Sequence, residues 1–568
     1  MRNADREAIP SRASPLFVLL LGLLAGTLYL NGLGNGFLID DLDIVTTVTQ
    51  EGRATPLSIF TSGEQIRTLP LPYYRPLTNL SYLLDRRLWG EKALGFHLTN
   101  LLLHLLTTLL VFRVGLKIAG LPLAAWGGAL LFAAHPIHTE SVSMVQGRTD
   151  LLATLFYVGA FLLFHRYRMQ GEGPRALRLY GLSLASFFLA LLSKEMAITL
   201  PLVIALHGFT HPPRPARNLW PLLWTLPYLG VLALYLGLRL SLLGIQQPLP
   251  DWALLAFPSP STLVLRLLQV PILLVTYLRL LLWPYPLRFY RIVSTPEGPT
   301  DPAFLLPFLL VLLLLGGTAL FWRRWGREAF WIGWIFLTLL PVLGLIPIPA
   351  YVMAERYLYL PSVGYTMLWA LLLERLLRGP HPGRPLIITG AGLTLLLIAF
   401  AFLTVKRNTE WGDQLRIYQA MAQEAPDNSA IQNNLGVEYL RRERLEEAIL
   451  RFQRAMALNP QNVSAYYNLG LAYARRGEME AAEKAYRRAL RLDPSHLKAR
   501  WNLAALLEKA GRWRAAEREY LLGLKHHQRS RDFWRRFQEF YERTGQLDQA
   551  RRLEKVLRTL ETPAEGAP

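Results

Sequence analysis

The sequence has no cysteine among its 568 residues, which excludes disulfides, Cys-ligated zinc, iron–sulfur clusters and thiol catalysis. Charge is scarce over the first 405 residues, which hold 31 Lys or Arg and 19 Asp or Glu between long apolar runs. The last 163 residues carry 30 positive and 22 negative charges, just over half of all the charge in the chain. A membrane-embedded region is therefore followed by a soluble one. No G-x-x-x-x-G-K-[ST] loop occurs, so ATP-driven transport has no support. The net charge of +20 does not call for nucleic acid. Much of the excess lies in short loops between apolar segments, where the positive-inside rule accounts for it.

What is abundant is apolar sequence. Residues 15–30 follow Arg2, Arg6 and Arg12 with no small-x-small cleavage site after them, predicting an uncleaved first span with a cytoplasmic N-terminus. Further apolar segments lie near 97–119, 121–137, 149–165, 178–192, 195–208, 219–240, 262–283, 303–322, 328–347, 357–373 and 385–404. Several are shorter than the roughly 20 residues that cross about 30 Å, which points to broken or re-entrant segments. If 262–283, with Arg266, Gln269, Pro271 and Arg279, does not cross completely, eleven spans remain. The basic loops at Arg113/Lys117, 165–178, Arg214/Arg217, Arg323/Arg324/Arg327 and Arg375/Arg378/Arg384 then share the cytoplasmic side. The other side receives the Asp-rich turn after the first span, 138–148, Lys194-Glu195, Glu355-Arg356 and everything after 405.

The soluble tail has a period of 34 residues. Leu435-Gly436 recurs at Leu469-Gly470 and Leu503-Ala504; Ala448, Ala482, Ala516 and Ala550 keep the same spacing, and Gly477, Gly511 and Gly545 mark turns. Small residues where two helices touch, at this period, are the tetratricopeptide signature. The resulting expectation is an all-α chain. A polytopic membrane domain over 1–405 leads through a linker helix at 406–427 into about four repeats over 428–562. Such a superhelix offers a concave surface to extended peptide.

Carboxylates at a bilayer edge are costly and mark function. Asp40-Asp41, with Asp43 close behind, follows the first span. Glu140 in HPIHTE, Arg148 and Asp150 in GRTD, Lys194-Glu195, Glu355-Arg356, and Tyr73, Tyr74 and Arg75 all reach the same side. A carboxylate can take the proton of an attacking hydroxyl, and Arg or Lys can hold a phosphate as it gains charge on leaving. Acids and cations around an apolar cavity thus suit an anionic, lipid-soluble substrate. His135, His138 and Glu140 match no metal motif with an assigned mechanism, and Pro136 turns the chain there. His97 and His104 share a helical face and read as packing residues.

The stretches FLIDDLDIV, YYRPLTNLSYLLDRRLWG, GFHLTNLLLHLL, HPIHTESVSMVQGRTDLLATLF, LLSKEMAITL and AERYLYLPSVGY, followed by the repeats, cover nearly the whole chain. In this order they resemble the transmembrane-and-tetratricopeptide-repeat (TMTC-type) protein O-mannosyltransferases of the GT-C glycosyltransferase superfamily. The Arg- and Leu-rich composition points to a bacterial relative. The resemblance implies a GT-C-like fold in the bacterial inner membrane, with the active site and the repeats extracytoplasmic. It implies a polyprenyl-phosphate sugar as donor and a Ser or Thr hydroxyl of a polypeptide, carried by the repeats, as acceptor. Transfer of a mannose-like hexose then proceeds by inverting displacement. Asp40 and Asp41 would supply the base and the group that orients the acceptor, with Glu140 assisting. Arg356, Lys194 and Arg148 would contact the donor phosphate. Tyr74, Arg75, His138, Asp150 and Glu355 would contact the acceptor or support the site. No resident cofactor is implied, no metal ligand is assigned, and a divalent cation stays open. A non-catalytic membrane scaffold, a transferase acting on lipid or surface glycan, and a transporter are the rival readings.

Overall fold

Long Leu-, Ala- and Phe-rich segments become helices because an apolar surrounding leaves the backbone only its own groups to bond. The computed structural model describes residues 15–38, 41, 45, 55–61, 74–170, 173–210, 220–243, 260–320, 322, 324–344, 353–379, 383–526 and 531–561, and every regular element among them is helical. Asp40, Asp43, Tyr73, Arg2, Arg6, Arg12, Arg214, Arg217 and Arg323 lie outside the described residues. The chain forms two compact units, Met1–Gln414 and Leu415–Pro568.

In the first unit the helices are α1 Pro15–Tyr29, α2 Pro56–Thr61, α3 Pro76–Trp89, α4 Ala93–Ile118, α5 Pro122–Ala134, α6 Thr139–Ser143, α7 Arg148–Gln170 and α8 Pro174–Ser193. They continue as α9 Leu200–Thr210, α10 Trp220–Leu223, α11 Leu226–Leu243, α12 Pro260–Leu282, α13 Pro302–Leu320, α14 Gly326–Leu339, α15 Pro361–Leu377 and α16 Gly383–Glu410. Proline stands in the first turn of α3, α5, α8 and α15, where its missing N–H would have had no helical partner. Gly128 lets α5 approach α15, since a Cβ there would meet the Thr366 carbonyl oxygen at 2.7 Å.

Seven stretches are long and apolar enough to cross a membrane, namely Pro15–Gly32, Ala93–Ile118, Val145–Gln170, Pro174–Ser193, Leu263–Leu282, Pro302–Leu320 and Ile387–Glu410. Pro122–Ala134, Glu195–Thr210 and Leu226–Leu242 are shorter apolar helices. The protein is thus an integral membrane protein, although fewer helices than the expected eleven qualify by length. Polar turns at His135 and Lys194 cut the apolar sequence early, leaving α5 with 13 residues and α9 with 11, and α11, α14 and α15 are not among the seven either. Helix α12, expected not to cross completely, is continuous through Pro271 and long enough to do so. It packs on α13 and also reaches loops and turns: Gln269 donates to Thr295, Gly344 packs on Leu273, and the Leu281 carbonyl bonds His135.

Ion pairs gather at both ends of this unit. At one end Arg327 pairs with Glu374 at 2.9 Å and donates to the Ile118 carbonyl, while Arg375 pairs with Glu328 at 2.7 Å. That end gathers the close of α4, the start of α14 and the close of α15. Helix α4 starts, and α15 begins, at the opposite end, where the site residues lie.

The second unit opens with α17 Gln414–Glu424 and continues as helix pairs: α18 Ser429–Arg441 with α19 Leu445–Leu458, α20 Val463–Arg476 with α21 Met479–Leu492, α22 Leu497–Lys509 with α23 Trp513–His526, and α24 Arg531–Arg543 with α25 Leu547–Glu561. Small residues admit the partner helix: a Cβ on Gly436 would strike Phe452 and one on Gly470 would strike Tyr486, both at 2.6 Å. Gly477, Gly511 and Gly545 turn with φ of +89°, +70° and +74°, a left-handed backbone that glycine adopts without a steric cost. The linker helix expected over 406–427 is instead two helices. Helix α16 runs on to Glu410, and α17 packs as the second helix of a half repeat. Gln419 donates to the Tyr439 hydroxyl just as Gln453, 34 residues later, donates to that of Tyr473.

Candidate active site

The turn between α6 and α7 is built by two buried charges. Asp41 accepts from the backbone N–H of Leu38, Val145 and Gln146 at 3.2, 3.2 and 2.9 Å. It thereby fixes the 3-10 turn Val145–Gly147, where a Cβ on Gly147 would collide with the Ser141 backbone. Arg148 follows, fully buried. Its Nε donates to Asn100 at 2.8 Å, Nη1 to Ser81 at 3.3 Å and Nη2 to the Phe96 carbonyl at 2.9 Å, and Nη2 pairs with Asp85 at 2.6 Å. The guanidinium, expected at a phosphate, is engaged by four protein partners and ties α3, α4 and α7 together.

The next residues stand around a cavity. Lys194, in extended backbone after α8, pairs through Nζ with Asp150 at 2.6 Å, both nearly fully buried. Asp150, Thr154, Tyr157, Lys194, Met196 and Leu360 line a space of about 10 Å³, roughly the room of one water. Burial pushes Lys194 down to about 8; Asp150 opposes the shift, and Arg75 and Arg356 reinforce it. Arg75 holds Glu195 through Nε and Nη2, at 3.1 and 2.8 Å to Oε2, and Arg239 approaches the same carboxylate at 3.7 Å.

Glu140 binds Arg356 twice, accepting from its backbone N–H at 2.9 Å and pairing with Nη1 at 2.5 Å. The carboxylate thus caps the turn Glu355–Leu358 and orients a guanidinium that, like that of Arg75, stays about one-fifth exposed. Glu355 points the other way. It accepts from the Arg288 N–H at 2.6 Å and faces Arg407 at 3.5 Å and Arg291 at 3.9 Å. Burial raises Glu355 to about 7; Arg407 lowers it and Glu140 adds to the rise. Tyr74 donates to the Phe60 carbonyl at 3.3 Å. His138 is buried between Phe132 and Tyr359 and bonded to Ser362 at 2.9 Å, a packing position. Among the described residues no three His, Asp or Glu side chains are grouped to hold a metal.

The structure therefore brings together Lys194, Arg356, Arg75, Asp150, Glu140, Glu195 and Glu355, places Asp41 and Arg148 in the supporting turn, and sets His138 in the core. Asp40 is outside the described residues. Sequence reasoning missed Asp85, Asn100 and Arg407. Asp85 sits with Thr78 and Tyr82 on a helical stripe that is buried, and a lone acid on such a stripe was the available signal. Arg407 carries none, as it follows a span like any flanking cation.

Two tetratricopeptide-repeat family profiles match residues 433–496 and 473–536. The chain is 29% identical over 538 residues to the Drosophila melanogaster protein O-mannosyl-transferase Tmtc1, covering 77% of this chain and 61% of that protein. It is 30% identical over 439 residues to the human protein O-mannosyl-transferase TMTC1, covering 68% of this chain and 48% of that one. With Drosophila Tmtc2 the identity is 40% over 193 residues, 32% of this chain and 20% of the relative. A crystal structure of MamA shares 24% identity at a TM-score of 0.25, over 26% of this chain and 86% of its own. The chain spans from about half to 61% of the length of the fly and human Tmtc1 proteins. Over most of its length it is a relative of the TMTC-type protein O-mannosyl-transferases, with tetratricopeptide repeats in its C-terminal region.

Proposed function

We propose that the protein is a membrane glycosyltransferase that moves a mannose-like hexose from a polyprenyl-phosphate donor to Ser or Thr hydroxyls of an extracytoplasmic polypeptide. One observation carries the reading. Lys194 sits at a cavity with Arg356 and Arg75 close enough to depress its hold on a proton. Three cations gathered at one buried site, each held by its own carboxylate, can turn donors to a phosphate there. Arg356 and Lys194 hold the donor phosphate, with Arg75 in support and Asp150, Glu140 and Glu195 fixing the three cations. Arg148 positions this set from the turn behind it.

In the reaction the acceptor oxygen attacks the anomeric carbon from the face opposite the phosphate. The carbon–oxygen bond to phosphate breaks as the new one forms, so the configuration inverts. The hydroxyl proton passes to Asp40, and the bonding pair leaves with the polyprenyl phosphate, whose growing charge the cations stabilise. Asp41 holds the turn that presents the acceptor side. The proposal puts the site on the extracytoplasmic side, because the opposite end of the unit carries Arg327, Arg375 and Arg378.

The test is sugar transfer by the full-length protein in nanodiscs, with polyprenyl-phosphate mannose and a Ser/Thr peptide. Asp40→Asn and Arg356→Ala should each lower kcat at least about a hundredfold. Unchanged transfer in both variants, or no transfer by the unaltered protein with any hexose donor, refutes the reading and leaves the scaffold.

A further inference from the structure

Helix α12 carries a tyrosine whose hydroxyl is not explained by packing. Tyr277 is fully buried in one apolar cluster with Met353 and Tyr357, while Leu263, Leu267 and Leu282 of the same helix stay exposed. Among the described residues its hydroxyl has no hydrogen-bond partner. A buried hydroxyl left unbonded costs stability and calls for a reason. The charges of Glu140 and Arg356 and the hydroxyl of Tyr357 act on it, and the Ala354 carbonyl is in range without a hydrogen bond of ordinary geometry. The Tyr357 ring lies 5.2 Å from Lys194 Nζ and 5.5 Å from Arg356 Cζ, so this pair of tyrosines stands beside two of the three cations. Glu140 meets Arg356 through both oxygens. Oε2 accepts from the backbone N–H at 2.9 Å, and Oε1 pairs with Nη1 of the guanidinium at 2.5 Å. The guanidinium, on its flexible stem, can turn to a phosphate; the backbone N–H cannot follow it.

We propose that the Tyr277 hydroxyl is the replacement donor for Glu140, bonding Oε1 when Arg356 turns its guanidinium to the phosphate of a bound polyprenyl phosphate. A buried carboxylate stripped of its cation is costly, and a hydroxyl donating to a carboxylate makes a strong, charge-assisted bond. The backbone N–H on Oε2 keeps the carboxylate in place, so only the donor to Oε1 changes. The neighbouring acid shows the same need met in another way. Glu195 has Arg239 at 3.7 Å besides Arg75, whereas among the described residues Glu140 has no ion pair other than Arg356. Tyr277 is thus a positioning residue: it acts on Glu140, not on the substrate, and makes the release of Arg356 cheaper. The inference rests on the proposed binding of a polyprenyl phosphate, for which it names the group that frees the phosphate-holding arginine.

The experiment measures binding and unfolding of the full-length protein in nanodiscs, with a short-chain polyprenyl phosphate as probe and the matching polyprenol as control. Tyr277→Phe removes only the hydroxyl. Without the probe its unfolding midpoint should be no lower than that of the unaltered protein, because no bond is lost. Its affinity for the polyprenyl phosphate should fall about tenfold, the worth of one hydrogen bond to a charged group, and its affinity for the polyprenol should stay within about twofold. In a Glu140→Gln background, where no carboxylate is left behind, Tyr277→Phe should change phosphate affinity by less than about twofold. Equal phosphate binding by Tyr277→Phe and the unaltered protein overturns the proposal, as does a lowered midpoint without the probe or an equal loss in both backgrounds. If the Glu140 variant fails to fold, the affinity of Tyr277→Phe alone decides. Absence of polyprenyl-phosphate binding by the unaltered protein refutes the transferase reading and this inference with it, whereas tight binding that Tyr277→Phe leaves unchanged refutes the inference alone.

Discussion

Arg148 spends its donors on Asn100, Ser81, the Phe96 carbonyl and Asp85, a fork that an ammonium group cannot reproduce. Arg148→Lys should therefore cost the membrane unit about 3 kcal/mol or more, read as a lower unfolding temperature in detergent. A variant with wild-type stability and weakened donor affinity would return Arg148 to the phosphate instead. Lys194 is read through pH. Its folded value of about 8 lies below its ordinary 10.5, so its contribution to stability is full above 10.5 and is lost as pH falls through about 8. Phosphate binding needs the charged form, so kcat/KM should fall as pH rises through about 8, and Lys194→Arg should carry that limb beyond the accessible range. Glu355 runs the other way. Its value is raised to about 7, so its stabilising effect is full below the usual carboxylate range and lost as pH rises through about 7. These residue types were visible in the sequence as polar islands in apolar text, but their partners were not. Nothing local to GRTD says that its arginine meets Asp85, 63 positions earlier.

At the scale of elements, close approach sets the geometry. A methyl group on Gly128 would press on the Thr366 backbone and Ala370, neither of which can rotate away. Gly128→Ala should destabilise the α5–α15 contact by about 1–3 kcal/mol. It should also lower transfer, because α15 begins just after Glu355 and Arg356; a thermal shift assay in detergent decides, and an unchanged midpoint counts against the packing. The repeat helices were legible to within a turn because their period is written in the residues. The half repeat at α17 was not. It keeps Gln419 and Pro426 at the 34-residue spacing from Gln453 and Pro460 but lacks the first helix that completes the pattern.

For the whole molecule, the absence of cysteine becomes an asset. Single variants Thr300→Cys and Arg378→Cys, both at exposed positions, place a thiol at either end of the first unit. A membrane-impermeant maleimide on intact cells should label the former and reach the latter only after lysis. The reverse pattern would put the cation cavity in the cytoplasm and exclude the proposed lipid-linked donor side.

The order of apolar and charged text determined by itself that this chain is a helical membrane protein ending in tetratricopeptide repeats, since burial of backbone and of periodic faces follows from composition and spacing alone. Which acids and cations face a cavity, and which are consumed in holding a turn, was decided only in three dimensions. Asp41 and Lys194 are alike as charges near a membrane edge. Only the fold gives one to backbone amides of the turn before α7 and pairs the other with Asp150 at the edge of a small cavity, because a buried charge is defined by the long-range partners that solvate it.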